Sequence, residues 1–200
     1  GAAPSAAEWA EALQQAGEKA GIDLFFFRHQ PTTWQGHENA LATVMSQPSP
    51  SHGYQLTIDF PGAEARTRIL STKRRRVLKS KERALSERGA LVPRLMESEE
   101  DVRRALAAFL AQKAERFAAQ KIANPFADPG IQAFLLAACL PQTDGSPPPL
   151  RLYALFVGDE IVATRAGTVW GTHISIMFHS FDQRPEIARS SRSRQSSLWA

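Results

Sequence analysis

Cysteine is nearly absent from this 200-residue chain, and the single thiol, Cys139, has no partner with which to form an internal disulfide. A reducing, cytoplasmic setting follows as the expectation. Cys139 lies in the apolar run AFLLAACL and reads as a buried structural thiol rather than a nucleophile. No apolar run reaches the roughly 20 residues that a spanning helix needs, and no secretory signal pattern is present. The chain has no P-loop, GxSxG, HExxH or CxxC motif, which excludes the motif-bearing versions of those chemistries. It has no internal repeat. Its four tryptophans, Trp9, Trp34, Trp170 and Trp199, do not form a sugar-stacking pattern, and Trp9 and Trp170 read as packing residues.

What is present is ordinary globular composition, 43% hydrophobic and 22% charged, enough for one core or two small ones. The net charge of +4 hides a segregation. Between Glu64 and Arg88 stand ten Lys/Arg against three Glu, a local +7, and the remainder of the chain carries −3. The chain opens Gly1-Ala2-Ala3, which suggests a processed product, a tag remnant or an internal fragment.

Ser5 and Glu8 make a capping box, with Trp9, Leu13, Ala16 and Ala20 following at helical spacing and Gly21 as the stop. Ile22 to Phe27 reads as a short buried strand, and Tyr54 to Phe60 alternates loosely as a second one. From Ser71 to Arg88 the residues favour a helix ending at Gly89, with Leu70, Val77, Leu78 and Leu85 on one face and the cations over the rest. Leu91 to Met96 fits an edge strand because of Pro93. A second capping signature, Ser98 to Asp101, opens an amphipathic helix through Val102, Leu106, Phe109, Leu110 and Phe117 to about Gln120. Asp128-Pro129 starts another helix, with Phe134, Leu135, Ala138 and Cys139 on its buried side, and Pro141 ends it. Leu150 to Phe181 then forms three strands joined by tight turns at Gly158-Asp159 and Gly171-Thr172. The class is α+β.

Strand, two helices and a three-stranded meander is the opening order of the GNAT acyltransferase fold. The pattern SxKxRRxLxxxxxxLxxxG stands here as Ser71-Thr72-Lys73-Arg74-Arg75-Arg76-Val77-Leu78, then Leu85 and Gly89. It resembles the cellulose-biosynthesis-type (CelD-like) GNAT acetyltransferases, which are related to the Fem peptidyltransferases. ESEEDVRRALAAFLAQKAERF, NPFADPGIQAFLL and LYALFVGDEIVA leading to FHSFD are similar to that family too. The resemblance implies residues 1–70 as the end of a first GNAT-like unit, 71–88 as a basic linker helix, 89–191 as the N-terminal half of a second unit, and 192–200 as an unassigned tail. It implies acetyl-CoA as donor substrate, an amine or hydroxyl acceptor, and work on a cell-envelope or exopolysaccharide precursor. In the family a Ser-Pro-Gly-type loop and a helix would follow and hold the pyrophosphate. Here Ser190-Ser191 lead into Arg192-Ser193-Arg194, so the fold is expected to be incomplete at the C-terminus, a fragment.

Acyl transfer by such a fold rests on positioning, backbone N–H groups on the thioester carbonyl, and a base for the acceptor. The third meander strand, His173 to Phe181, is expected to be the wall beside the acyl group. Met177, Phe178, Ser180 and Phe181 are its donor-contacting candidates, with Ser190 and Ser191 for the phosphates. Simple alternation puts His173, Ser175, Met177 and His179 on one face, and Ile174, Ile176, Phe178 and Ser180 on the other. His179 and His173 are the candidate bases; a structural or solvated role stands beside that reading. Six residues apart on a strand, they lie roughly 20 Å from each other and cannot share a metal. Asp59, Glu160 and Asp182 are isolated carboxylates with solvation as their default. Arg74 and Arg75 are candidate contacts for an anionic substrate. The basic helix also supports a solvated linker face, or a non-catalytic domain binding an anionic partner; nucleic acid is disfavoured because no aromatics interleave the cations.

Overall fold

A computed structural model describes residues 4–27, 30–34, 36–44, 46–50, 53–142, 144–184 and 187. The chain divides into two compact units, Gly1–Asp59 and Phe60–Ala200.

In the first unit, α1 (Ala6–Ala20) carries the expected capping box from Ser5 and Glu8 and ends at Gly21 in the left-handed conformation. A small hairpin of β1 (Thr33–Trp34) and β2 (His37–Glu38) follows. Ile22 to Phe27 is not a strand. Strand propensity needs a partner ladder, and among the described residues none pairs with it. The ring of Phe25 instead lies against Gly17 of α1. Tyr54 to Phe60 is irregular for the same reason, with Tyr54, Leu56 and Ile58 exposed.

The second unit begins with α2 (Gly62–Ile69) and α3 (Thr72–Ser86), two helices where the sequence suggested one. Then come β3 (Leu91–Leu95), α4 (Glu99–Gln120), α5 (Pro129–Cys139), β4 (Arg151–Val157), β5 (Glu160–Trp170) and β6 (His173–Phe181). The strands form one antiparallel sheet in the order β3-β4-β5-β6. Pro93 sits on the edge strand β3, where its missing N–H costs no ladder bond. Gly158 and Gly171 adopt positive φ in the two hairpin turns.

α4 and α5 cover the front of the sheet. Val102, Ala105, Leu106 and Phe109 of α4 and Leu135, Ala138 and Cys139 of α5 pack on Leu152, Ala154, Phe156, Ala166 and Phe178. On the back, Leu85 of α3 and Ile187 pack on Leu155, Val157, Val162 and Ala163. Three residues expected to pack are exposed instead: Val77, Phe134 and Trp170, the last at the β5–β6 hairpin end.

Two bulges shape the sheet. On β5, Leu155 faces Ala163 while Phe156 faces Ile161, leaving Val162 as the extra residue. On β6, Ala166 faces Phe178 while Gly167 faces Ile176, leaving Met177 as the extra residue. The second bulge overturns the expected alternation. Cross-strand partners share a face, so His173 and Ser175 lie on the front with Phe178 and Ser180. Ile174 and Ile176 lie on the back with His179 and Phe181. The two histidines are therefore on opposite faces.

Gly167 permits the crossing of strands at this bulge. A Cβ built there would stand 2.5 Å from the carbonyl oxygen of Ser175, closer than any side chain tolerates. Gly167→Ala is expected to lower stability by roughly 1–3 kcal/mol, read as an earlier urea midpoint; an unchanged midpoint would show that β6 does not need this close approach.

Candidate functional site

The site candidate is the middle of β6. Its inner edge pairs with β5, and among the described residues no strand pairs with its outer edge. The bulge leaves Met177 as the one residue of this stretch without a register partner on β5. The side chains of Ile174, Ile176 and Met177 are exposed around it. A strand with open backbone donors and an apolar lip is a surface on which a carbonyl oxygen and an extended arm can lie.

A buried polar network fixes this strand. Ser180 Oγ donates to Gln112 Oε1 of α4 at 2.6 Å and lies 2.7 Å from Thr164 Oγ1 of β5. Gln112 Nε2 donates to the carbonyl oxygen of Ile161 at 3.0 Å. That carbonyl belongs to the bulge of β5, where the ladder cannot use every group. The N–H of Asp182 donates to the next carbonyl, of Val162, at 2.8 Å. Thr164 is wholly buried, and Ser180 and Gln112 nearly so. One amide side chain of α4 thus satisfies the first bulge and, through Ser180, sets the strand just past the second.

The sequence candidates are distributed as follows. Met177 stands at the lip, exposed. Phe178 belongs to the front core, its ring centroid 4.6 Å from that of Phe109. Ser180 faces α4 through the network, so only its backbone can touch a ligand. Phe181 packs partly buried on the back cluster. His179 lies opposite Arg165 and in the same row as Tyr153. Burial lowers the pKa of Arg165 to about 10. His173 sits at the hairpin end opposite Trp170. Ser190 and Ser191 lie outside the described residues. Burial pushes the Cys139 thiol up to about 11, which keeps it protonated and unreactive at neutral pH.

The two arginines of α3 differ. Arg75 donates to the carbonyl oxygens of Thr67 at 2.8 Å and Leu70 at 3.1 Å and to Thr72 Oγ1 at 3.2 Å, so it closes the α2–α3 corner. Arg74 is exposed and has no acidic partner among the described residues. Asp182 also departs from its solvated expectation: it is buried and binds Arg184 through both oxygens, and Glu160 adds a third contact at 3.1 Å. These hydrogen bonds, Asp182 first, raise the pKa of Arg184 above its ordinary range. The pair serves to end β6 rather than to move protons.

Among the described residues, no group of three or more His, Cys, Asp or Glu side chains could hold a metal. A groove of about 290 Å³ between α4 and α5 is lined by apolar residues and by Arg103 and Gln132, with no residue of β6. Arg103 is tied to Glu99 at 2.6 Å, and the groove offers no free reactive group.

Residues 72–193, more than half of the chain, match the family model of an acetyltransferase (GNAT) domain. No curated protein matches the chain.

Gln112→Leu takes the amide donor from the buried Ile161 carbonyl and leaves the Ser180–Thr164 hydroxyl pair without its outer acceptor, and is expected to cost about 2–4 kcal/mol. Adding Ser180→Ala and Thr164→Val removes those hydroxyls and should restore part of the loss in chemical unfolding. A single substitution milder than the triple would contradict the network's role.

Proposed function

The chain belongs to the GNAT acetyltransferase family, and from that premise we propose that it transfers an acetyl group from acetyl-CoA to an amine or hydroxyl at the bulge of β6. The observation that carries this reading is the coincidence of the Met177 bulge with the open edge of the strand. Outward backbone N–H groups beside the bulge, at Ile176 and its neighbours, would hold the thioester oxygen as negative charge grows on it, with Met177 and Phe178 as the side chains next to it. The exposed Ile174, Ile176 and Met177 would line the arm of the donor. The backbone of Ser180 and Phe181 continues this wall, and Ser190 and Ser191 begin the segment assigned to the phosphates.

The base assignment favours His179. It stands two residues beyond Met177, about 7 Å along the strand, whereas His173 is four residues before it, about 13 Å away. The faces also differ, so the two cannot serve one acyl carbon from the same side.

We assign the outward face of α3 to an anionic acceptor. Arg66, Arg68 and Arg83 are paired with Glu82, Glu64 and Glu87. Lys73, Arg74, Arg76 and Lys79 have no acidic partner among the described residues, and Arg75 supports the corner beneath them. A cell-envelope or exopolysaccharide precursor carrying acidic groups fits this face. In the same reading residues 1–70 end a first, related unit, and the setting is cytoplasmic. The uncompensated cations also support a second reading, in which α3 binds an anionic partner without catalysis.

Calorimetry with acetyl-CoA separates the two readings. The enzyme reading expects saturable binding. It also expects His179→Ala to leave that binding unchanged while slowing acetyl transfer to a panel of amines by about 10²–10⁴-fold. Salt-sensitive retention on heparin with no acetyl-CoA binding would overturn it in favour of the second.

A further inference from the structure

Lys113 of α4 is a half-buried amine that nothing above employs. Its Nζ lies over three phenyl rings, 5.7 Å from the centroid of Phe109, 5.8 Å from Phe117 and 5.6 Å from Phe126. Phe126 is held in a short helical turn between α4 and α5. Its N–H donates to Asn124 Oδ1 at 3.0 Å, and its carbonyl accepts from Gln132 Nε2 at 2.8 Å. Phe126 meets Phe109 edge-on at 4.9 Å. Phe109 in turn touches Phe178, the residue immediately after the β6 bulge. The amine is therefore fixed by rings, two ring contacts from the strand assigned to the acyl group.

Its surroundings also bear on its reactivity. No carboxylate pairs with Lys113 among the described residues, so no ion pair must break before it reacts. Ring faces attract the ammonium, which orients it. Burial, aided by the neighbouring positive charge of Arg116, lowers its pKa and so eases loss of the proton.

We propose that Lys113 is a self-acetylation site, taking an acetyl group from an acyl-CoA thioester bound along β6. This rests on the acyl-CoA reading above. The ammonium first yields a proton to solvent. The Nζ lone pair then attacks the acyl carbon, and the C–S bond breaks with its electron pair going to sulfur. The new C–N bond becomes a neutral amide once nitrogen loses its second proton, and the CoA thiolate takes up a proton. The net change is one acetyl-lysine, one free thiol and one proton released. The modified side chain has lost its charge and with it the attraction of the three rings.

The chain has six lysines, at 19, 73, 79, 81, 113 and 121, so the modification can be mapped completely by mass spectrometry. The intact protein is incubated with acetyl-CoA, and in parallel with acetyl phosphate as a small donor without a CoA moiety. The expected result is acetylation of Lys113 at least about tenfold faster than of the exposed Lys73, Lys79 and Lys121 with acetyl-CoA. That preference should be lost with acetyl phosphate and in urea. If calorimetry detects acetyl-CoA binding but Lys113 reacts no faster than the exposed lysines, the self-acetylation inference is overturned and the acyl-CoA reading survives. Equal preference for Lys113 with both donors would also overturn it, since the reactivity would then be the amine's own. Absence of acetyl-CoA binding overturns both.

Discussion

Everything specific about this domain depends on one buried amide. Gln112 reaches from α4 to the carbonyl of Ile161 and to the hydroxyl of Ser180, and so binds a helix to two strands at the two places where the sheet is irregular. A bulge at an edge strand is an invitation to slip by one residue, and a slip would exchange the faces of every side chain beyond it. Phe178 resists the slip by packing against Phe109. Ser180 resists it by chemistry, since a displaced hydroxyl would lose both its partners in a dry interior. The outer edge of β6 beside Met177 is thus held by a rigid support behind it, which a strand must have if its N–H groups are to meet a developing charge without rearranging.

The layers divide their tasks accordingly. The front, under α4 and α5, holds the larger core and the polar network. The back carries a smaller cluster under Leu85 and Ile187, and next to it the row of Tyr153, Arg165 and His179. Charge is kept to the periphery. The paired cations of α2 and α3 are surface contacts of small energetic weight. The unpaired ones leave α3 with a positive outward face that its own fold does not use.

Much of this was legible in the sequence. The capping box at Ser5, the N-cap at Ser98, the Asp128-Pro129 start, Pro93 at an edge and the two glycine turns all announced their elements, because each depends on local chemistry. The segments 22–27 and 54–60 misled because strand character is local while pairing is not. The bulge at Met177 was invisible for a similar reason: alternation read from one strand assumes a partner in step, and the break becomes apparent only in the register with β5. Gln112 did leave a signal. It continues the helical spacing of Val102, Ala105 and Phe109, and a polar residue on an apolar stripe asks for a buried partner. Its partners, Ile161 and Ser180, lie 49 and 68 residues away, beyond the reach of any local pattern.

In the proposed function acetyl-CoA lies along the bulged stretch of β6. Amide hydrogen exchange of the intact chain, with and without acetyl-CoA, tests it at the residues concerned. The amide of Ile176 beside the bulge should exchange fast in the free protein and slow on addition of the donor, with β3 at the opposite edge of the sheet unchanged. Protection confined to α3, or no change along β6 at saturating acetyl-CoA, would contradict it.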